Sequence, residues 1–210
     1  MTKLETPTRR QRTREASIQN ILEAARAIMG EEGVAALSMQ ELARRMDMRA
    51  PSLYNYFSGK MDLYDALFRL GFNLWDEHIT AFSKESTGFH DELRIIIEGY
   101  MSFALENPEL YQLCFERPVP GFVPSQESLA LSFGILNRSY QRVEQLKSEL
   151  DTELSSEQIV NTVIAISHGL TAMHLANEPH LPVGQGRFGS LIPIILSILK
   201  QAIPAKGEKK

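Results

Sequence analysis

The stretch LSMQELARRMDMRAPSLYNYFSGKMDLYDAL, residues 37–67, decides how this chain is read. Ser38 stands three positions before Glu41, the spacing of a capping box, so a helix is expected to start there. That helix is short and turns Leu42, Ala43 and Met46 inward. Asp47 follows, a residue type that tolerates the left-handed backbone a tight inter-helix turn often needs. Pro51 suits the first turn of another helix, where its missing N–H is not needed. Ser52 to Phe57 is expected to be helical, with Leu53 and Phe57, four apart, facing inward. Ser58 and Gly59 punctuate, and a long amphipathic helix is expected from about Lys60 to Phe82. Two short helices joined by a turn of three or four residues form a helix-turn-helix, whose second helix offers its outer face to the major groove of DNA.

Upstream, Ile18, Ile21, Leu22, Ala25, Ile28 and Met29 recur at helical steps and define one apolar face, with Gly30 and Gly33 supplying a stop. Residues 1–14 contain Pro7, four arginines and almost nothing apolar, and read as a disordered basic arm. A three-helix DNA-binding domain is therefore expected over 15–60. Downstream there is no strand-like alternation and no repeat. Helices are expected at about 89–106, 108–115, 125–150, 156–177 and 188–202, with breaks at Gly88, at Pro108 and in two Pro-rich loops. Pro193 either lies in the first turn of the last helix or kinks it. The fold class is all-α, with residues 61–205 forming a larger helical domain.

Composition narrows the function. One cysteine, Cys114, excludes an internal disulfide and any multi-cysteine metal site, and fits a cytoplasmic protein. The most apolar stretch, Leu191 to Leu199, is much shorter than the roughly 20 residues a membrane span needs, so no membrane partner is expected. The net charge of -4 is unevenly spread. Residues 1–60 hold ten Lys or Arg against seven acids, a net of +3, which leaves -7 for residues 61–210. A basic head on an acidic body is the asymmetry expected when only the head meets phosphates, although a solvated basic tail gives the same count. An enzyme would need a nucleophile–base pair, a metal cluster or a phosphate loop, and none of these patterns appears; no catalytic residue and no cofactor is expected.

Residues 15–64 resemble the TetR/AcrR-type transcriptional regulators. The likeness rests on Ala43, the Leu53–Tyr54 pair, Phe57 and Lys60. Two positions depart from that pattern: Asp47 stands where a glycine is usual, and Arg49 where the cap of the third helix is commonly serine. The resemblance implies that Tyr54 and Lys60 contact DNA phosphates, with Ser38 doing the same through its hydroxyl and the local dipole. It also implies that Arg49, Ala50, Pro51, Ser52, Asn55 and Tyr56 face the bases. Asn55 suits adenine, Arg49 guanine, and the Ala50–Pro51 edge a thymine methyl. Arg9 to Arg14 either trail into a neighbouring minor groove or form a mobile tail adding nonspecific attraction.

A second resemblance covers YMSFALENPELYQLCF (Tyr100–Phe115) and the SHGL of Ser167–Leu170, which look like the WHG-type C-terminal branch of the same family. It implies a small-molecule effector and a homodimer. Trp75, Phe82, Tyr100, Met101, Phe103, Tyr111, Phe115, Phe133 and His168 are the candidate effector residues, and an aromatic, Met-containing interior with few charges favours an apolar or amphipathic molecule. Ordinary core packing is the alternative for each of them. Ile159, Val163, Ile166, Leu170, Met173, Leu191, Ile195 and Ile198 are the candidate dimer-interface residues. His168 and His174, six apart, do not share the helix face a metal site needs, so no metal ligand is expected. The expected function is a repressor that binds a palindromic operator in double-stranded DNA as a dimer and is released by its effector. The alternatives are a helical protein-interaction module and a regulator whose ligand acts as co-repressor.

Overall fold

A computed structural model describes residues 8–83, 86 and 88–207, without the side chains of Phe82 and Ser83. The described residues form helices and turns and no strand; a single antiparallel bridge joins Leu150 and Ala205. In chain order the helices are α1 (Arg9–Glu32), α2 (Met39–Arg45), α3 (Ala50–Leu53), α4 (Lys60–Ser83), α5 (Phe89–Glu106), α6 (Pro108–Tyr111), α7 (Gln126–Leu146), α8 (Ser156–Asn177), α9 (Gly186–Gly189) and α10 (Ile192–Ala202).

The arm expected over 1–14 is helical from Arg9 onward; its first seven residues lie outside the described ones. Thr8 caps α1: its Oγ1 accepts from the Gln11 amide at 3.3 Å, and Gln11 Oε1 accepts from the Thr8 amide at 2.6 Å. This reciprocal pair satisfies two amides that a helix start otherwise leaves open, which offsets the poor apolar content of the first turns. Gly33, at φ 93, ends the helix with its amide on the Met29 carbonyl, a conformation that favours glycine.

The chain divides into two compact units: 1–71 with 109–125, and 72–108 with 126–210. This differs from the boundary expected after residue 60, because the first half of α4, up to Gly71, belongs to the first unit and a later segment, 109–125, returns to it. In the first unit, Ile21, Ala25 and Ile28 of α1 are buried, as are Leu42, Leu53, Phe57, Leu63 and Leu67. Segment 109–125 adds α6, a π-type turn over Gln112–Glu116 that ends at Arg117 (φ 52), and a proline-containing loop. It is tied down at several points. Arg26 Nε donates to Glu109 Oε1 at 2.7 Å, the Ser125 amide donates to Asp65 Oδ1 at 2.8 Å, and Phe122 packs on Tyr64 and Phe68. Burial pushes the Cys114 thiol far above its ordinary range, so it is an inert packing group.

In the second unit, α8 starts at a full capping box made by Ser155 and Gln158. Its Ile159, Val163 and Leu170 join Ile97 and Met101 of α5 and Leu199 of α10 in the core. By length and composition α8 is the one helix among the described residues long and apolar enough to cross a membrane; the Leu191–Leu199 stretch weighed in the sequence is too short. Much of its apolar character serves this core. The helix expected over 188–202 is split into α9 and α10, because Pro193 supplies no amide to Gly189 and its ring would crowd that carbonyl. Pro193 thus falls in the first turn of α10.

Candidate functional site

In the first unit the helix-turn-helix is built from α2, the turn at 46–49 and α3. Asp47 adopts φ 50, the left-handed conformation its side chain tolerates. Arg49 caps α3 without a side-chain hydrogen bond, as its lack of an acceptor requires. The helix is shorter than the expected Ser52–Phe57 and closes at Leu53. Winding continues as a turn in which the Tyr56 and Phe57 amides both reach the Leu53 carbonyl, at 2.9 and 3.0 Å. Phe57 therefore still points inward beside the fully buried Leu53. The outer side carries Arg49, Pro51, Asn55 and Tyr54, which is 54% exposed, with Ala50, Ser52 and Tyr56 half-buried among them.

The side chains expected at phosphates differ in exposure: Tyr54 is exposed, whereas Ser38 and Lys60 are half-buried. Ser38 Oγ accepts from the Glu41 amide at 3.3 Å, leaving its O–H as a donor. Lys60 Nζ donates to the Ala35 carbonyl at 3.1 Å and lies 5.4 Å over the Tyr64 ring. Tyr64 donates its own hydroxyl to the Val34 carbonyl at 2.6 Å, and burial pushes its pKa up to about 12. Together these two side chains staple the start of α4 to the 3-10 turn Val34–Ala36.

The capping box expected at Ser38 is only half made. Glu41 turns away from the cap and accepts from Arg44 and Arg45, and Arg45 also reaches Glu31 and Glu32 of α1. Two guanidinium groups in hydrogen bond hold the Glu41 carboxyl down, from an ordinary 4.5 to about 2. A carboxylate held low in the folded state adds stability that is complete above its unfolded pKa and lost as pH falls through the folded value. Thermal stability of the wild-type chain is accordingly expected to drop as pH is lowered from about 4.5 towards 2. Glu41→Gln should flatten that part of a melting-temperature profile; an unchanged profile would remove this network from acid sensitivity.

Arg14, read in the sequence as part of a trailing arm, is instead held on a helix beside the turn that follows α3. Arg14 of α1 places its guanidinium carbon 5.9 Å from the centroid of the Tyr56 ring. The signal was present in Thr8-x-x-Gln11, a capping-box spacing preceding a helical pattern.

The candidate effector residues do not form one group. In the second unit Trp75 meets Tyr100 and Phe103 edge-on, with centroids 5.4 and 5.6 Å apart, and the Tyr100 hydroxyl pairs with His168 Nδ1 at 3.1 Å. Met101 instead belongs to the buried apolar core, and Phe133 on α7 is 61% exposed. Tyr111 and Phe115 lie in the first unit, facing each other at 5.7 Å. The Phe82 side chain lies outside the described residues. An open cleft of about 420 Å³ is lined by Tyr140, Gln141, Glu144, Ser155, Ser156 and Glu157, none of them in the aromatic group. Unforeseen from sequence, Ser167 Oγ, Thr171 Oγ1 and His174 Nδ1 are buried with no hydrogen-bond partner among the described residues. Their spacing of four and three places them on one face of α8. His174 uses its other nitrogen on the Leu181 carbonyl at 3.0 Å.

The candidate dimer residues also separate. Ile159, Val163 and Leu170 are buried in their own unit's core, with Ile166 and Ile195 packed against it, so these five do not make a free face. Met173, Leu191 and Ile198 are exposed, as are Ile164 and Ile194, which the sequence reading omitted. Five of the eight candidates thus pack on their own unit's core, and three stand exposed on α8, α10 and the turn before α10.

Comparison with known proteins agrees with this geometry. Residues 21–67 match the family described as bacterial regulatory proteins, tetR family. The HTH-type transcriptional regulator YobS of Bacillus subtilis is 30% identical over 92 residues, 44% of this chain and 48% of that protein. The HTH-type transcriptional activator FasR of Mycolicibacterium smegmatis is 28% identical over 46% of this chain and 44% of its own length. The matches thus span about half the length of these curated relatives. Among solved structures, the regulatory protein SCO4313 shares the fold with a TM-score of 0.72 at 22% identity, covering 92% of this chain and 98% of its own. FadR of Bacillus subtilis in complex with stearoyl-CoA follows at 0.66 and 16%, covering 88% and 98%. AibR in complex with isovaleryl coenzyme A and operator DNA gives 0.61 and 15%, covering 90% and 98%. The helix-turn-helix head of this chain, residues 21–67, carries the N-terminal signature of the tetR family of bacterial regulatory proteins.

Proposed function

We propose that this protein is a ligand-responsive transcriptional repressor that binds a palindromic operator as a homodimer and is released by an apolar or amphipathic effector. The observation that carries the reading is the outer side of α3 and its turn. Arg49, Pro51, Tyr54 and Asn55 stand exposed there while Leu53 and Phe57 anchor them from beneath. A short helix pinned by two buried side chains presents donors and acceptors without flexing, which base reading requires.

For the effector, the supporting features are the Trp75–Tyr100–Phe103 group and the unpartnered Ser167, Thr171 and His174 atoms in the same unit. The first suits an apolar chain and the second a polar head. Acyl-coenzyme A, held by two solved structures of this fold, is one amphipathic class to test. Segment 109–125 supports the linkage. It is packed into the DNA-binding unit through Arg26–Glu109 and Asp65–Ser125, yet the chain on both sides of it belongs to the other unit. An effector that prefers one placement of this segment must change DNA affinity, and DNA must change effector affinity by the same factor.

The test is selection of bound sequences from random duplex DNA, followed by affinity measured against salt. A palindrome with half-sites about one helical turn apart, and binding that weakens steeply with salt, is the expected result. Absence of any enriched or salt-dependent duplex would favour the protein-interaction module instead.

A further inference from the structure

The inward face of α1 can be followed residue by residue. Ile28, Ala25 and Ile21 are fully buried, Ile18 is half-buried, and the next two places on the same face, at steps of four, are Arg14 and Arg10. The helix therefore runs past the core it packs on and carries arginines where its apolar stripe would continue. The Thr8–Gln11 capping box keeps these turns wound. Arg14 lands over Tyr56, whose neighbours Tyr54 and Asn55 are exposed on the candidate DNA face. Arg10 lies one turn further, about 6 Å along the axis.

Several arginines of the head are already engaged by carboxylates. Arg26 is engaged by Glu109, Arg44 by Glu41, and Arg45 by Glu31, Glu32 and Glu41. Among the described residues Arg10 and Arg14 are in no ion pair, and both are exposed. A guanidinium already bound to carboxylates has little to offer a phosphate, whereas one whose charge lies over an aromatic ring keeps its N–H groups free for one.

We propose that Arg10 and Arg14 form a second phosphate-binding site, built on the first turns of α1, for the same duplex that the α3 face reads, with Arg14 also acting as the positioning residue for the Tyr56 ring. The inference rests on the DNA-binding reading above. It replaces a trailing tail with a rigid prong, so the contact falls at a fixed phosphate beside the recognition turn and incurs little ordering entropy.

The experiment uses the full chain and the duplex obtained by selection, with anisotropy titrations over a series of salt concentrations and melting curves as a folding control. Arg10→Gln is expected to lower the slope of log affinity against log salt by about 0.9 for each protomer bound, about 1.8 for a dimer on a palindrome, with base preference unchanged. Arg14→Gln should lower the slope similarly and also relax preference at the base pairs beside the turn. Arg14→Lys should restore the slope but not the preference, since it keeps the charge and loses the guanidinium that lies over the ring. If the Arg10→Gln/Arg14→Gln double variant keeps the wild-type slope, the phosphate site is wrong while the DNA-binding reading stands. If Arg14→Gln leaves base preference intact, its positioning role is wrong. If the wild type itself binds no duplex in a salt-dependent way, the underlying reading fails.

Discussion

Replacing Ile194 and Ile198 by Asp should turn a dimer into a monomer and reduce apparent operator affinity by about 10²-fold or more. Both side chains are more than half exposed on α10, and Ile164, Met173 and Leu191 add further exposed apolar surface to the same unit. Single exposed apolar residues are ordinary, but five on α8, α10 and the turn before it are what a partner would cover. In a symmetric interface each substitution acts twice, and a carboxylate buried there without a partner opposes association strongly. Two linked recognition faces bind a palindrome cooperatively through high effective concentration, which a monomer loses. Sedimentation with an operator titration measures both quantities. Ile159→Ala is the contrasting variant. Its side chain is fully buried in the core, so it should lower thermal stability by about 2–5 kcal/mol and leave the oligomeric state alone. A dimer that persists with Asp at both positions would place the interface elsewhere.

The second large effect is expected on the recognition face. Tyr54→Ala and Lys60→Ala should weaken binding to all duplexes alike, and Lys60→Ala should reduce the salt slope by about one for each protomer bound. Asn55→Ala should cost about 1–3 kcal/mol on the preferred operator and much less on altered ones, so that discrimination narrows. The difference follows from chemistry: a side-chain amide can pair with one base edge by two hydrogen bonds, whereas a hydroxyl or an ammonium serves any phosphate. Because Lys60 also holds the Ala35 carbonyl, its variant needs a melting curve beside the titration, whereas Tyr54 is exposed and should not change stability. Competition among duplexes of altered sequence separates the two classes. Uniform losses for all three variants would mean that Asn55 touches only backbone, and no loss for Tyr54→Ala and Lys60→Ala would mean that the duplex docks differently.

Acid sensitivity of the head and the α1 prong have a common origin in where the arginines of the first unit point. Arg44 and Arg45 are drawn into carboxylates by helical spacings of three and four, which are local and visible in sequence. Arg45 with Glu31 and Glu32 is different, since it needs α1 and α2 folded against each other. No inspection of charges along the chain separates engaged from free guanidinium groups.

The sequence by itself determined the all-α class, the positions of the long helices and the helix-turn-helix. These depend on short-range physics: apolar steps of three and four, caps such as Ser155–Gln158, the left-handed turn at Asp47 and the proline in the first turn of α3. Only the tertiary structure decided which apolar residues were left over. α8 is apolar around much of its circumference, so periodicity alone does not tell its core side, Ile159 and Val163, from its outer side, Ile164 and Met173; contacts with α5 and α7 make that choice. The same holds for the aromatic residues, where Tyr100 and Tyr111, eleven apart in sequence, fall into different units because the chain changes unit between Pro108 and Glu109. Local sequence records the energy of a helix turn, but the burial of a given face is a property of whatever packs against it.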